Sequence, residues 1–262
     1  YAAPMEGLTG WRWRQVQHEM FGGAALYVTP FVSPNGNFSF QRKELEELDP
    51  ERNRGIPVVP QILTNRAEYF VWAAKECRSR GWAQIDLNLG CPSGTVTGKK
   101  KGAGLLRQPQ LLRQLLDGIF DALPDMKISV KTRIGWERAE EWPALLALLE
   151  TYPICRLTVH PRVRTQFYKG AADREVFRWT AEHTALPLCY NGDVTTVRDL
   201  REMGETFPDD AVMVGRGLVA DPSLLRQATG GPAASLEELR EFHDRLYGLY
   251  CRDFSGDVPV LH

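Results

Sequence analysis

The sequence predicts an α/β fold, a parallel (β/α)8 TIM barrel, followed by the start of a C-terminal helical domain. Three observations carry this reading: eight short β-rich runs recur along the chain, a helical pattern follows each of them, and polar residues gather at their ends. Strict strand-then-helix alternation forces parallel pairing, because each helix must carry the chain back across the sheet. Eight such units fit a closed barrel, with an open doubly wound sheet as the competing arrangement.

The runs are "YAAPM" (1–5), "AALYVTP" (24–30), "IPVVPQIL" (56–63), "AQIDLNL" (83–89), "KISVKTR" (127–133), "ICRLTVH" (154–160), "LPLCYNG" (186–192) and "DAVMVGR" (210–216). After the third, Asn65 with Glu68 has the spacing of a capping box, Phe70, Ala73, Ala74 and Cys77 fall at helical spacing, and Gly81 is a natural stop. After the fourth, Leu111, Leu112, Leu115, Leu116, Ile119 and Phe120 repeat the pattern towards Pro124. Thr195 or Thr196 is placed to cap the helix after strand seven. Beyond Pro222 the unit changes. Residues 235–251 read as an amphipathic helix with Leu236, Leu239, Phe242 and Leu246 on one side. The barrel is therefore assigned to 1–230 and the beginning of a helical domain to 231–262.

A chain of 262 residues, 43% hydrophobic and 25% charged, has enough apolar side chain for one large core. Its net charge of -1 excludes a global basic field, so any nucleic-acid contact must rest on local clusters. Five cysteines without a CxxC pair point to a reducing, cytoplasmic setting. No apolar run approaches the roughly 18 residues that cross a bilayer. Tyr1 opens on a strand in progress and "VPVLH" ends without a closing element, so the sequence reads as a piece of a longer protein.

Strand residues of a barrel alternate between the interior and the helix layer, and active sites form at the strands' C-terminal ends. If Ile85, Leu87 and Leu89 pack on helices, Asp86 and Asn88 point inward. Ser129, Lys131 and Arg133 do the same on strand five. Gln61, His160 and Asn191 end strands three, six and seven. Cys91 or His160 alone would read as structural, but polar groups from five strands at one end exceed what a structural barrel requires. A lysine in that interior is costly unless a negative or accepting group meets it. Five histidines without HxH or HExxH spacing provide no metal cage.

The loops after strands seven and eight, "NGD" (Asn191, Gly192, Asp193) and "GRG" (with Gly215 and Arg216), sit where barrels bind phosphate. Glycine lets backbone amides approach phosphate oxygens and arginine pairs with the charge. Together with Gln61, Lys131 and the small-residue floor "AAPM", this set suits a flavin, whose reduction a lysine near N1 and the C2 carbonyl would favour. The absence of GxGxxG favours FMN over a dinucleotide.

The strings "APMEG" (3–7), "LNLGCPS" (87–93), "GAGLL" (102–106), "SVKTR" (129–133), "HPR" (160–162), "YKGAAD" (168–173), "NGD" and "GRG" resemble, in order and spacing, the tRNA-dihydrouridine synthases. The resemblance runs from Tyr1 to about Asp221. It implies FMN-dependent reduction of the C5=C6 bond of tRNA uridines, with NADPH reducing the flavin. On that resemblance Cys91 is the proton donor. Pro4, Met5, Glu6, Gln61, Lys131, His160, Asn191, Gly192, Asp193, Gly215 and Arg216 match FMN-contacting positions, and Asn88 and Arg133 lie near the uracil. Many relatives carry a small residue at Pro161, and the family continues into a helical domain that helps to dock tRNA.

Lys99, Lys100, Lys101 and Arg107, with Arg162, Arg164 and Lys169, lie in loops at the same barrel end and are expected to form a rim for RNA phosphates. Solvated loop charge is the plainer reading of each one alone. The sequence leaves the oligomeric state open, and a monomer is the expectation. Two other functions stay open at this stage: a flavin barrel acting on a free pyrimidine, and a non-catalytic RNA-binding barrel.

Overall fold

The computed structural model describes residues 1–253. Eight parallel strand segments run around the barrel: β1 (Tyr27–Val28), β2 (Val58–Val59), β3 (Gln61–Ile62), β4 (Gln84–Leu89), β5 (Lys127–Arg133), β6 (Arg156–His160), β7 (Leu188–Tyr190) and β8 (Ala211–Val212). β3 to β8 pair in chain order, and β1 pairs with β2. Pro60 separates β2 from β3, because it has no N–H to give the ladder, although its carbonyl still accepts from Asp86.

The first expected strand is reduced to one bridging residue. Ala2 pairs with Tyr27 on one side and Val214 on the other, and the Ala3 N–H donates to the Val214 carbonyl at 2.8 Å. With Tyr1 also bonded to Val212 and Val214, this short stretch closes the ring between the second and eighth units. The closed (β/α)8 barrel is thus the architecture, and the open sheet is excluded.

Eleven helices accompany the strands: α1 (Trp11–Met20), α2 (Arg42–Glu47), α3 (Ala67–Ser79), α4 (Gly94–Thr97), α5 (Pro109–Ala122), α6 (Trp142–Leu149), α7 (Arg174–His183), α8 (Val197–Thr206), α9 (Arg216–Ala220), α10 (Leu224–Ala228) and α11 (Leu236–Asp253), counted among the described residues. α5 starts on Pro109 at its first turn and buries Leu112, Leu115, Leu116 and Ile119. Thr196 caps α8 in a reciprocal box with Asp199. The capping box expected at Asn65 does not form. Arg66 occupies the N-cap position without a side-chain bond, and Asn65 instead donates to the Lys99 carbonyl beyond the cysteine loop.

α11 packs back on α1, with Phe242 against Phe21 and Arg245 paired with Glu19. Its expected apolar face is only partly covered, since Leu236 is 78% exposed and Leu239 is also exposed. Residues 254–262 of the anticipated helical domain lie outside the described residues. No described helix is long and apolar enough to cross a membrane.

Strand register decides what faces the interior. Gln61 lies beside Asp86, Asp86 beside Ser129, Asn88 beside Lys131, Lys131 beside Thr158, and Arg133 beside His160. Polar positions therefore stack in layers inside the barrel, while Ile85, Leu87, Leu89, Ile128 and Val130 are completely buried in the main core.

Candidate active site

A cleft in two lobes opens at the C-terminal ends of the strands. The larger lobe, about 260 Å³, is lined by Met5, Gln61, Asn88, Cys91 and Arg133, among others. The smaller, about 80 Å³, reaches Asn191, Gly192, Asp193, Gly215 and Arg216. Pro4, Met5, Lys131, His160 and Tyr168 line both. A larger groove of about 940 Å³ runs between α5 and α6, but two of its carboxylates are already engaged. Glu141 accepts from the amides of residues 136–138, and Asp117 accepts from Tyr152.

Cys91 is partly buried and its loop is held from every side. Its amide donates to Asn88 Oδ1 at 2.9 Å, and its carbonyl accepts from the Ala103 amide at 3.1 Å. The two neighbouring carbonyls are gripped by arginines: Arg133 Nε donates to Gly90 O at 3.1 Å, and Arg164 Nε donates to Pro92 O at 3.0 Å. Burial pushes the thiol above its usual range, against the pull of the Ser93 amide, Arg133 and Lys131. Cys91 therefore carries its proton at neutral pH.

Gly102 supports the same loop. Its φ of +55° is unfavourable for L residues, and a Cβ there would lie 3.0 Å from the Cys91 carbonyl oxygen and 3.1 Å from Cys91 Cβ. Gly102→Ala is expected to cost about 1–2 kcal/mol in thermal or denaturant unfolding and to lower turnover by displacing Cys91. Unchanged stability and unchanged turnover would refute this reading.

Asn88 belongs to a relay that begins deeper in the barrel. Ser129 and Gln61 Nε2 donate to the Asp86 carboxylate at 2.7 Å each, Asn88 Nδ2 donates to Gln61 Oε1 at 2.8 Å, and Asn88 Oδ1 receives the amides of Gly90 and Cys91. Acceptor-only Asp86 thus fixes the orientation of both amides in turn. Burial raises the Asp86 carboxyl to about 6 despite these donors and Lys131.

Lys131 is partly accessible from the cleft, and no hydrogen-bond acceptor for it is found among the described residues. Burial first, then Arg133, lowers it to about 8, while Asp86 opposes the shift. His160 is pushed far below its usual range by burial and by Lys131, Arg133, Arg162 and Arg216, so its imidazole is neutral. Burial acts to raise Asp193, but donors from Arg162 and the Ala172 amide, with the charge of Arg216, bring it below the ordinary carboxylate range.

The remaining expected residues fall in different settings. Pro4, Met5 and Glu6 border the cleft, and Glu6 pairs with Lys43 at 3.6 Å. Asn191 donates to the Met213 carbonyl. Lys99 and Lys100 are exposed at the rim, whereas Lys101 donates to Ser33 Oγ at 2.9 Å. The rim expectation is corrected for Arg162, which is 1% exposed and bonded inward to His160, Gly170 and Asp193. It is corrected in part for Arg164, whose guanidinium braces Pro92 and Thr97 rather than standing free. Arg133 is likewise spent on the carbonyls of Gly90 and Val163.

Tyr168 was not singled out by sequence reasoning, although it opens the quoted "YKGAAD" string. It stands over the junction of the lobes, with the Arg216 and Arg133 guanidiniums 4.9 and 5.4 Å from its ring centroid. Asp86 was also missed as a site residue. Its phase with Asn88 on β4 was the available signal.

A family model described as dihydrouridine synthase matches residues 1–245. The chain belongs to the dihydrouridine synthase family. A probable tRNA-dihydrouridine synthase of Rhizobium leguminosarum bv. phaseoli is 31% identical over 260 residues, covering 99% of this chain and 80% of the relative. The tRNA-dihydrouridine synthase B of Pseudomonas putida is also 31% identical, over 98% of this chain and 77% of its own. Among solved structures, the old yellow enzyme homologue from Zymomonas mobilis superposes with a TM-score of 0.62 at 11% identity, covering 90% of both chains. A putative deoxyribose-phosphate aldolase from Coccidioides immitis gives 0.55 at 14% identity, covering 87% and 83%. These two share the barrel, and likeness at such identity speaks to fold alone.

Proposed function

We propose that this chain is a flavin-dependent tRNA-dihydrouridine synthase whose active site is the two-lobed cleft, with FMN as cofactor and NAD(P)H as its reductant. The observation that carries the reading is the junction of the lobes. There Lys131, with no hydrogen-bond acceptor among the described residues, and the neutral His160 line both lobes, and the protonated Cys91 thiol lines the larger one. Family membership supplies the reaction class.

The residues suit FMN on grounds internal to the chain. Gly215 lines the narrow lobe beside Ala3 and Met5, where a Cβ would come no closer than ordinary contact distance, 3.4 Å, so this stretch of wall is small and smooth. Arg216, half exposed and steered by Asp193 at 2.9 Å, offers charge to a phosphate at the narrow lobe. Lys131 would offer a positive charge to the ring system, and Met5 an apolar, polarisable surface. When bound, FMN supplies the hydride for uracil C6.

The chain's own part is positional and acid–base. Asn88, Arg133 and Arg164 hold the loop so that Cys91 presents its Sγ–H to the base, where it delivers the proton to C5. The shortage of free polar atoms on Asn88 and Arg133 makes them supports for Cys91 first and uracil contacts second. The exposed Lys99 and Lys100 remain for RNA phosphates. A base inside a folded tRNA must leave its stack to enter this cleft. We further assign 1–230 to the barrel and take α11, with Leu236 and Leu239 uncovered, as the opening of a tRNA-docking helical unit over 231–262.

The test is to incubate tRNA lacking dihydrouridine with the protein, FMN and NADPH and to weigh the digested nucleosides. A gain of two hydrogens in uridine is the expected result. Turnover of free uracil or uridine without turnover of tRNA would favour a free-pyrimidine reductase instead.

A further inference from the structure

We infer that Arg162 is a positioning residue that locks His160 in its Nδ1–H tautomer, so the imidazole meets a bound ligand as a hydrogen-bond donor and never as an acceptor. Arg162 Nη1 lies 3.0 Å from His160 Nε2. A guanidinium stays protonated and has no acceptor atom, so this contact requires an unprotonated Nε2. The ring is neutral in the field of Lys131, Arg133, Arg162 and Arg216, and its one proton is then left on Nδ1.

The pose of Arg162 does not depend on His160. Its other terminal nitrogen, Nη2, donates to the Gly170 carbonyl and to Asp193 Oδ2, each at 2.5 Å, and Asp193 is fixed in turn by the Ala172 amide. The side chain is 1% exposed, and its Nε is buried without a partner among the described residues. An unsatisfied buried donor is unfavourable, so the packing sustains this orientation against a local cost. His160 borders both lobes, and the described residues show no protein partner for its Nδ1. The ligand atom placed there must accept a hydrogen bond, as a carbonyl, phosphate or unprotonated ring nitrogen does. Only the identity of that ligand rests on the FMN reading.

Nitrogen-15 NMR of histidine-labelled protein tests the assignment directly. The chain has five histidines, and His160→Gln identifies the resonances to follow. Flavin-free and FMN-loaded parent should both show His160 with unprotonated Nε2 and protonated Nδ1. A protonated Nε2, an even mixture or an imidazolium would overturn the proposal, and this needs no variant to fold. In Arg162→Met the single tautomer should give way to a mixture, with FMN affinity reduced roughly tenfold or more; Arg162→Lys should restore part of both. A variant that keeps the parent tautomer and affinity would also overturn it. If the parent shows the expected tautomer but never binds FMN, the cofactor reading fails while the role of Arg162 stands.

Discussion

Cys91→Ala is expected to lower dihydrouridine formation by roughly 10²- to 10⁴-fold, the range that a positioned general acid supplies, while leaving FMN bound. The loop should keep its shape, because its four anchoring bonds use backbone atoms: the Cys91 amide and the carbonyls of Gly90, Cys91 and Pro92. Alanine keeps all four. The loss should therefore lie in turnover and not in binding of tRNA. The pH profile follows from the raised thiol: activity needs Sγ–H, so it is retained through neutrality and falls as pH rises past the thiol's ordinary range. Quantifying dihydrouridine against time with both proteins checks this. Equal rates would remove Cys91 from the reaction.

Lys131→Met should act in opposite directions on cofactor binding and on stability. Loss of the charge should weaken FMN by roughly 10- to 100-fold, the usual effect of removing a charge-assisted hydrogen bond. In the flavin-free protein the same lysine is a burden. Its folded pKa of about 8 lies below its unfolded value near 10.5, so the unfolded chain binds the proton more tightly. The penalty is fully present below pH 8, about 3 kcal/mol at most, and disappears as pH approaches 10.5. Lys131→Met should thus be more stable than the parent at pH 7 by about 1–3 kcal/mol, and should lose the parent's rise in stability between pH 8 and 10.5. The gain belongs at the lower end, since Lys131 also holds down the Asp86 carboxyl. Chemical unfolding across that window, paired with FMN titration, reads both effects. A destabilised variant with unchanged FMN affinity would contradict both.

The strand phases were readable because a barrel wall repeats every two residues. Strand five was expected at 127–133 and spans Lys127–Arg133, and its register with β4 and β6 sets Lys131 and Arg133 among the polar layers. What followed from the path of a loop was less readable. Arg162 and Arg164 sit two and four residues past His160. Whether each turns inward or out to solvent depends on the tight turn in which the Arg162 amide bonds the His160 carbonyl at 2.7 Å. Charge alone suggested a rim, yet acceptors at Gly170, Asp193 and Pro92 engage both guanidiniums. Asn65 had cap spacing, but the carbonyl of distant Lys99 offered a competing partner. Of the first expected strand, only Tyr1 to Ala3 bond to the neighbouring strands, with Ala2 bridging Tyr27 and Val214.

The measurement that bears most directly on the site is the visible absorption spectrum of the protein purified without added cofactor, with the compound released by heat weighed and counted. One FMN per chain is the expected result, with its retention reduced in Lys131→Met and Arg216→Met and preserved in Cys91→Ala. A colourless protein that cannot be loaded with FMN, or a flavin held equally well by all three variants, would contradict the assignment of this cleft.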